Sequence, residues 1–135
     1  MKISKWFALA LPVAFLVWLS SCDVVDTSKT PPKLMLIKPL YYDTYKSNQK
    51  IPFEIYAKDL NGLKNLSVEV RRLVPDTVVY SLNLDLTGKT EYTLQDTFKV
   101  GVYLPHKTAA VKISLSASNE KGIERSGSTQ FNVNP

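Results

Sequence analysis

The chain has 135 residues, a formal net charge of +5, one cysteine and one histidine. This length suits one domain, and the positive charges are not grouped with aromatic residues, which argues against a nucleic-acid partner. One cysteine excludes an internal disulfide. One cysteine with one histidine also excludes the usual zinc sites, which need several such ligands.

The first 21 residues have the parts of a secretory signal peptide. Lys2 and Lys5 form a basic start, residues 6–19 are apolar with an interruption at Pro12, and small residues follow. A membrane-spanning helix needs about 20 apolar residues without a break, so this run is short for one. We therefore expect residues 1–21 to be a signal peptide.

The end of this segment, Leu19-Ser20-Ser21-Cys22, resembles the lipoprotein box of bacteria. The resemblance implies cleavage before Cys22, diacylglycerol on its sulfur and usually a third acyl chain on the new amino group. The alternative is an ordinary signal peptide whose cysteine is incidental. We favour lipidation, because the only cysteine stands where the box requires it. Each buried methylene contributes about 0.8 kcal/mol, so two or three chains anchor a protein almost permanently.

Residues 22–32 are predicted to be the lipidated cysteine and a flexible tether, because this stretch is polar, contains prolines and shows no periodicity. Asp23 follows the cysteine directly. In enteric bacteria this resembles an inner-membrane retention signal, whereas in Bacteroidota-like organisms acidic residues near the cysteine accompany surface export. We favour the outer membrane or the cell surface.

From residue 33 to the end, apolar residues recur at every second position, which is typical of half-buried strands. Strand A is predicted at residues 34–37 and strand G at Thr129, Phe131 and Val133. The inward positions of strands B, C and F are Ile51, Phe53, Ile55 and Ala57; Leu66, Val68 and Val70; and Val111, Ile113, Leu115 and Ala117. Two further strands, between C and F, are predicted to bury Val78, Tyr80, Leu82, Leu84 and Leu86, and Tyr92, Leu94, Phe98, Val100, Val102 and Leu104. Asp96 breaks the last pattern, as at a bulge or an edge.

Two heptads share one pattern, AKDLNGL at residues 57–63 and ASNEKGI at residues 117–123. Each follows an alternating run. The Asp or Asn can bond its own backbone in an Asx-turn, and the glycine supplies a positive φ at no steric cost. The heptads are therefore predicted to be the turns after strands B and F.

Seven short strands in about 100 residues predict an all-β fold, a seven-stranded antiparallel sandwich over residues 33–135. The Ala-x-(Asp/Asn)-x-x-Gly pattern after strands B and F, with Phe131-Asn132-Val133 near the end, resembles bacterial immunoglobulin-like and cadherin-like modules. These motifs specify a fold and no function. The cystine pair and the core tryptophan of antibody domains are missing, so packing around residues such as Phe53 must hold the domain together.

Candidate chemistry is sparse. His106 is the only histidine, and the chain has no G-x-S-x-G motif, so a hydrolase is a distant alternative. Asp59, Asn61 and Asn119 carry oxygens that suit calcium, although the rest of a calcium loop is missing. We favour the alternative, that these three residues only build turns.

The A–B loop carries Tyr41, Tyr42 and Tyr45, and tyrosine suits recognition surfaces. With His106 these residues are the predicted binding site. The alternative is that one or two of the rings cover an open edge of the sandwich. Because strand A begins where strand B ends, the heptad turns are expected to face the membrane and the tyrosine loop to face outward. The sequence favours a non-enzymatic, lipid-anchored envelope protein that binds a glycan or an envelope protein. The alternative is an assembly accessory of a membrane complex.

Overall fold

A computed structural model describes residues 29–135. The predicted signal peptide, Cys22 and residues 23–28 of the tether lie outside the described residues. Within residues 29–135, no helix is long and apolar enough to cross a membrane.

Eight strands form two facing sheets. The strands are β1 (Lys33–Lys38), β2 (Thr44–Lys46), β3 (Lys50–Lys58), β4 (Leu63–Leu73), β5 (Asp76–Asp85), β6 (Glu91–Lys99), β7 (Ala109–Asn119) and β8 (Glu124–Asn134). One sheet has the order β1-β3-β6 and the other the order β2-β8-β7-β4-β5. The predicted all-β, immunoglobulin-like two-layer sandwich is consistent with this arrangement.

The predicted strand number and the purely antiparallel arrangement are wrong. After β1 the chain crosses to the other sheet, where β2 pairs with β8 in parallel through Thr44 and Asn132. β1 and β8 run in the same direction, so a segment that continues the course of β1 and joins β8 must be parallel to it. β2 has three residues, too few to show periodicity.

The core is formed mainly by the residues that were predicted to face inward in strands B, C, F and G. The inward residues of β3, β4 and β7 are buried, and β8 adds Phe131 and Val133. Phe53 lies at the centre, with its ring centroid 5.3 Å from that of Tyr80 and 5.8 Å from that of Phe98. Each such apolar side chain contributes about 1.5–3 kcal/mol on burial.

Two of the predicted core strands are corrected. A bulge between Val70 and Arg71 shifts the register of β5, so that Val78 lies opposite the outward-facing Arg71 and is 43% exposed. The extra residue is Val79 of β5, and it turns Val78, which precedes it, to the outer face. β6 ends at Lys99, before the predicted inward residues Val102 and Leu104, and Leu104 is exposed.

Asp96 lies on an edge strand, one of the two situations predicted for it. β6 is the last strand of the smaller sheet, and β5 is the last strand of the larger one. The Tyr80 hydroxyl donates a 2.8 Å hydrogen bond to Asp96 Oδ2 and so joins the two sheets along this flank. Partial burial and this bond raise the pKa of Tyr80 to about 12.

Candidate binding site

The strand directions sort the loops into two groups. We call residues 29–32, 59–62, 86–90 and 120–123 the entry end, because the chain enters the sandwich there. Residues 39–49, 74–75 and 100–108 form the opposite end, which we call the far end. Lys33 of β1 pairs with Lys58 of β3, and Thr30 O accepts a hydrogen bond from Asn119 Nδ2 at 3.3 Å. The tether therefore arrives beside the heptad turns, as predicted.

The two heptad turns bond to each other at the entry end. Asn119 Nδ2 donates to Asp59 Oδ2 at 3.0 Å, and both side chains are buried, with exposures of 0% and 7%. Glu120 N donates to Gly62 O at 3.0 Å. A buried polar group is costly unless it is hydrogen-bonded, so each turn stabilises the other.

The predicted turn chemistry is confirmed in both heptads. Asn61 N donates to Asp59 Oδ1 at 2.7 Å, and Lys121 N donates to Asn119 Oδ1 at 3.1 Å. These are Asx-turns. Gly62 and Gly122 have φ angles of +92° and +80°, where glycine carries no steric penalty.

The structure brings the predicted calcium residues Asp59, Asn61 and Asn119 together at this end. Both carboxylate oxygens of Asp59 already accept hydrogen bonds from the chain. Within residues 29–135, no group of three or more His, Cys, Asp or Glu side chains is placed to hold a metal ion. Calcium here remains a prediction, and titration calorimetry with millimolar calcium tests it.

The predicted tyrosine loop lies at the far end. Residues 40–43 form a tight turn, in which Asp43 N donates to Leu40 O at 3.1 Å and Asp43 Oδ2 accepts from Leu40 N at 2.7 Å. Tyr41 and Tyr42 occupy the tip, with exposures of 59% and 73% and ring centroids 3.8 Å apart. The neighbouring Tyr42 hydroxyl raises the pKa of Tyr41.

Tyr45 and His106 have different positions. Tyr45 lies in β2, half-buried, with its ring edge-on to Phe131 at 5.7 Å. It therefore covers the edge of the core, and burial raises the pKa of its hydroxyl, followed by the effect of Asp43. His106 is exposed on the loop between β6 and β7, at φ +69°.

Sequence reasoning missed much of the apolar surface at this end. Of the ten large apolar residues exposed in the described chain, six lie at the far end. These six are Leu40, Tyr41, Tyr42, Val74, Tyr103 and Leu104. A signal was present: Leu40 and Leu104 adjoin Pro39 and Pro105, and proline ends a strand pattern.

The far-end loops are fixed to one another. Asn48 N donates to Val100 O at 2.9 Å, and Ser47 Oγ accepts from Val102 N at 3.1 Å. Arg72 Nη1 donates to Gly101 O at 2.8 Å, and its guanidinium lies 5.9 Å from the centre of the Tyr103 ring. The loops that carry the exposed rings are therefore held in place by hydrogen bonds.

Comparison with known proteins gives little. No family model and no curated protein matches the chain. Among solved structures, self-complemented MyfA, the major subunit of Myf fimbriae from Yersinia enterocolitica, is similar with 11% sequence identity and a TM-score of 0.44. The likeness covers 77% of this chain and 98% of that one. A likeness at this level says nothing about function.

Proposed function

We propose that this protein is a non-enzymatic, lipid-anchored envelope protein that binds a glycan or an envelope protein with its far end. The observation that carries the proposal is the distribution of positive φ angles. Within residues 29–135, the three non-glycine residues with positive φ are Tyr42, Asn48 and His106, and all three lie at the far end.

A tyrosine at φ +70° is unfavourable for the fold. A side chain in this conformation crowds its own backbone and costs roughly 1–2 kcal/mol, whereas glycine avoids the clash. Asparagine adopts it more readily than tyrosine does. The ring of Tyr42 is exposed and contacts only the tip residue Tyr41, at a tilt of 45°, so it adds nothing to the core. A side chain kept at such a position suits a role in recognition.

The exposed apolar surface supports the same proposal. Tyr41, Tyr42 and Tyr103 offer broad faces with polar tips, which is the composition of recognition surfaces. Arg72 holds the Tyr103 loop through Gly101, so less conformational entropy is lost when a ligand binds.

The proposed anchor at Cys22 gives this surface a direction. The tether meets the sandwich at the entry end, so the far end points away from the membrane when the domain stands upright. Ten extended residues reach about 35 Å at most, which lets the far end lie clear of lipid headgroups. An outward position on the outer membrane or cell surface is part of the proposal.

The test is binding of the fluorescently labelled full chain in detergent to envelope fragments of its own source. We expect the double variant Tyr41→Ala/Tyr42→Ala to weaken binding by roughly tenfold, because it removes an aromatic contact with the ligand. Met35→Ala/Ile37→Ala is the matched control, because these residues are exposed on β1, away from the far end. Equal losses in both variants would overturn the proposal.

The same assay separates the two ligand classes. Periodate treatment of the fragments abolishes binding if the ligand is a glycan, and protease treatment abolishes it if the ligand is a protein. Both treatments change only the fragments and use the same labelled chain, so a difference in binding comes from the ligand.

The second candidate function is an assembly accessory of a membrane complex. The observation that favours it is a shallow concavity of about 600 Å³ on the outer face of the larger sheet, whose lining includes six serines. Ser116 and Ser67 lie opposite each other at its centre, and small side chains let another surface approach closely. Ser116→Arg should then remove the chain from the complex and leave far-end binding intact.

A further inference from the structure

One flank of the sandwich has an unpaired strand edge. β8 pairs with β7 along residues 124–133, but on its other side β2 covers only residues 132–134. Asn132 N donates outward to Asp43 O at 3.0 Å. N–H and C=O groups alternate between the two sides of a strand, so those of Ser126, Ser128 and Gln130 also point to this edge. No other strand among residues 29–135 pairs with them.

The same half of β8 contributes no apolar side chain to the core. Phe131 and Val133 are buried, and the alternation places Arg125, Gly127 and Thr129 on the same inward face. Gly127 lies opposite Leu115 in the ladder with β7. No heavy atom outside its chain neighbours lies within 4 Å of the position that a Cβ on Gly127 would occupy. A space is therefore left where the fold has room for a side chain.

This space is a slot of about 290 Å³ between the two sheets. Leu34 and Leu36 of β1 line one side, Leu115 lines the floor, and residues 125–129 line the other side. Leu34 and Leu36 are only half-buried although both face inward. The three leucines make one part of the slot apolar, and the β8 side is mainly polar. A partly apolar slot that runs beside unpaired backbone is an arrangement to which an extended peptide adds as a strand.

We propose that this slot accepts an extended segment of a partner polypeptide, which pairs with β8 along residues 124–130. Every second side chain of a strand points to the same face, so apolar residues at alternate positions would enter the slot and cover Leu34, Leu36 and Leu115. Arg125 is exposed at one end of the slot. Its charge favours an acidic side chain at that end of the partner strand.

The sequence of the tether suits this slot poorly. Residues 23–28 read DVVDTS, which places only one valine on either face of a strand. A second copy that paired through the same edge would present Arg125, Gly127 and Thr129 again, with no apolar side chain to fill the slot. The occupant is therefore a different polypeptide, bound at a surface separate from the far end.

The probe is a synthetic nine-residue peptide that alternates valine with threonine and carries a glutamate at one end, in two versions with opposite ends acidic. We expect one version to bind the full chain in detergent and to slow hydrogen exchange at the amides of Ser126, Ser128 and Gln130. N-methylation of every second peptide amide gives two further probes. One set of methyl groups blocks the bonds to β8 and abolishes binding, and the other set points away and leaves binding intact.

Two variants test the slot. Gly127→Val fills it from within and should weaken peptide binding by roughly tenfold or more, the equivalent of one lost apolar contact site, with an unchanged or higher melting temperature. Thr93→Val is the control, because that side chain is exposed on β6 and does not line the slot, and it should keep wild-type affinity.

Three results would overturn the proposal: equal binding of both N-methylated peptides, undiminished binding to Gly127→Val, or no binding of either peptide at millimolar concentration. A dimer in sedimentation that Gly127→Val dissolves would also overturn it, in favour of a second copy as the occupant. The far-end variants do not touch this slot, so failure here leaves the proposed function standing.

Discussion

The two ends of the sandwich both contain turn positions with positive φ, but they place different residue types there. At the entry end, the positions with positive φ are Gly62, Gly88 and Gly122. At the far end they are Tyr42, Asn48 and His106. Glycine is placed where only the bend matters, and side chains remain at the end that carries the exposed rings. The difference supports the proposed division, in which one end serves stability and the other serves contact.

The polar groups follow the same division. The entry end buries Asp59 and Asn119 in a bonded pair, which holds two turns together. The far end bonds backbone to backbone across its loops, as between Asn48 and Val100, and leaves six large apolar side chains in solvent.

The reference for both ends is the core between them. Phe53 is 1% exposed and contacts the rings of Tyr80 and Phe98. Phe53→Ala should lower the free energy of unfolding by about 3–5 kcal/mol, from lost transfer energy and the cavity left behind. Urea unfolding measures it, and a midpoint equal to wild type would refute this core.

Asn119→Ala should be the most damaging change in the loops. It leaves Asp59 Oδ2 and the N–H groups of Lys121 and Ile123 without their partner. The expected loss of unfolding free energy is on the order of 3 kcal/mol, since each buried group left unpaired costs about 1–3 kcal/mol. Asn83→Ala, an exposed site on β5, is the control and should shift stability by less than about 0.5 kcal/mol. Similar losses in the two variants would show that the turn-to-turn bond contributes little.

A pair of glycine variants isolates the backbone effect. Gly122 has φ +80°, and Gly127 lies in a strand; no neighbouring atom would contact a Cβ at either site. Gly122→Ala should cost about 1–2 kcal/mol through strain alone, whereas Gly127→Ala should be neutral or slightly stabilising because it restricts the unfolded chain. Thermal melts compare them. If the two shifts were the same, the strain argument would fail at the entry end and at Tyr42.

The Tyr80–Asp96 bond predicts a pH dependence. The pKa of Tyr80 is raised from 10.0 to about 12 by burial and by the bond to Asp96. The unfolded chain therefore loses this proton first, so the contribution of Tyr80 is complete below pH 10 and is lost as the pH rises from 10 to about 12. The stability difference between wild type and Tyr80→Phe should shrink over that interval. A constant difference would contradict the raised pKa.

The sequence predicts the interior of this fold better than its margins. The alternation in β3, β4 and β7 is regular because both of their neighbours are strands, so every inward residue is covered. β5 and β6 lie at sheet edges, where an extra residue in β5 (Val79) and an early end of β6 at Lys99 break the alternation. Such breaks depend on contacts between strands, which periodicity along one chain does not contain.

The sequence predicts only part of the candidate site, because the rest also depends on contacts between distant segments. Tyr41 and Tyr42 stand out as a local cluster, and the structure places them at the surface. Val74 and Tyr103 belong to other loops, and only the closed sandwich gathers them at the same end. Tyr45 looks equivalent in sequence, yet the pairing of β2 with β8 turns it onto Phe131.

The most direct test of the contrast between the ends is Tyr42→Gly. It removes strain of roughly 1–2 kcal/mol and adds about 0.5–1 kcal/mol of chain entropy lost on folding, so the melting temperature should stay the same or rise. Binding of the labelled chain to envelope fragments should fall at the same time. A stable variant that binds as wild type does would show that Tyr42 is not kept for contact and would contradict the account.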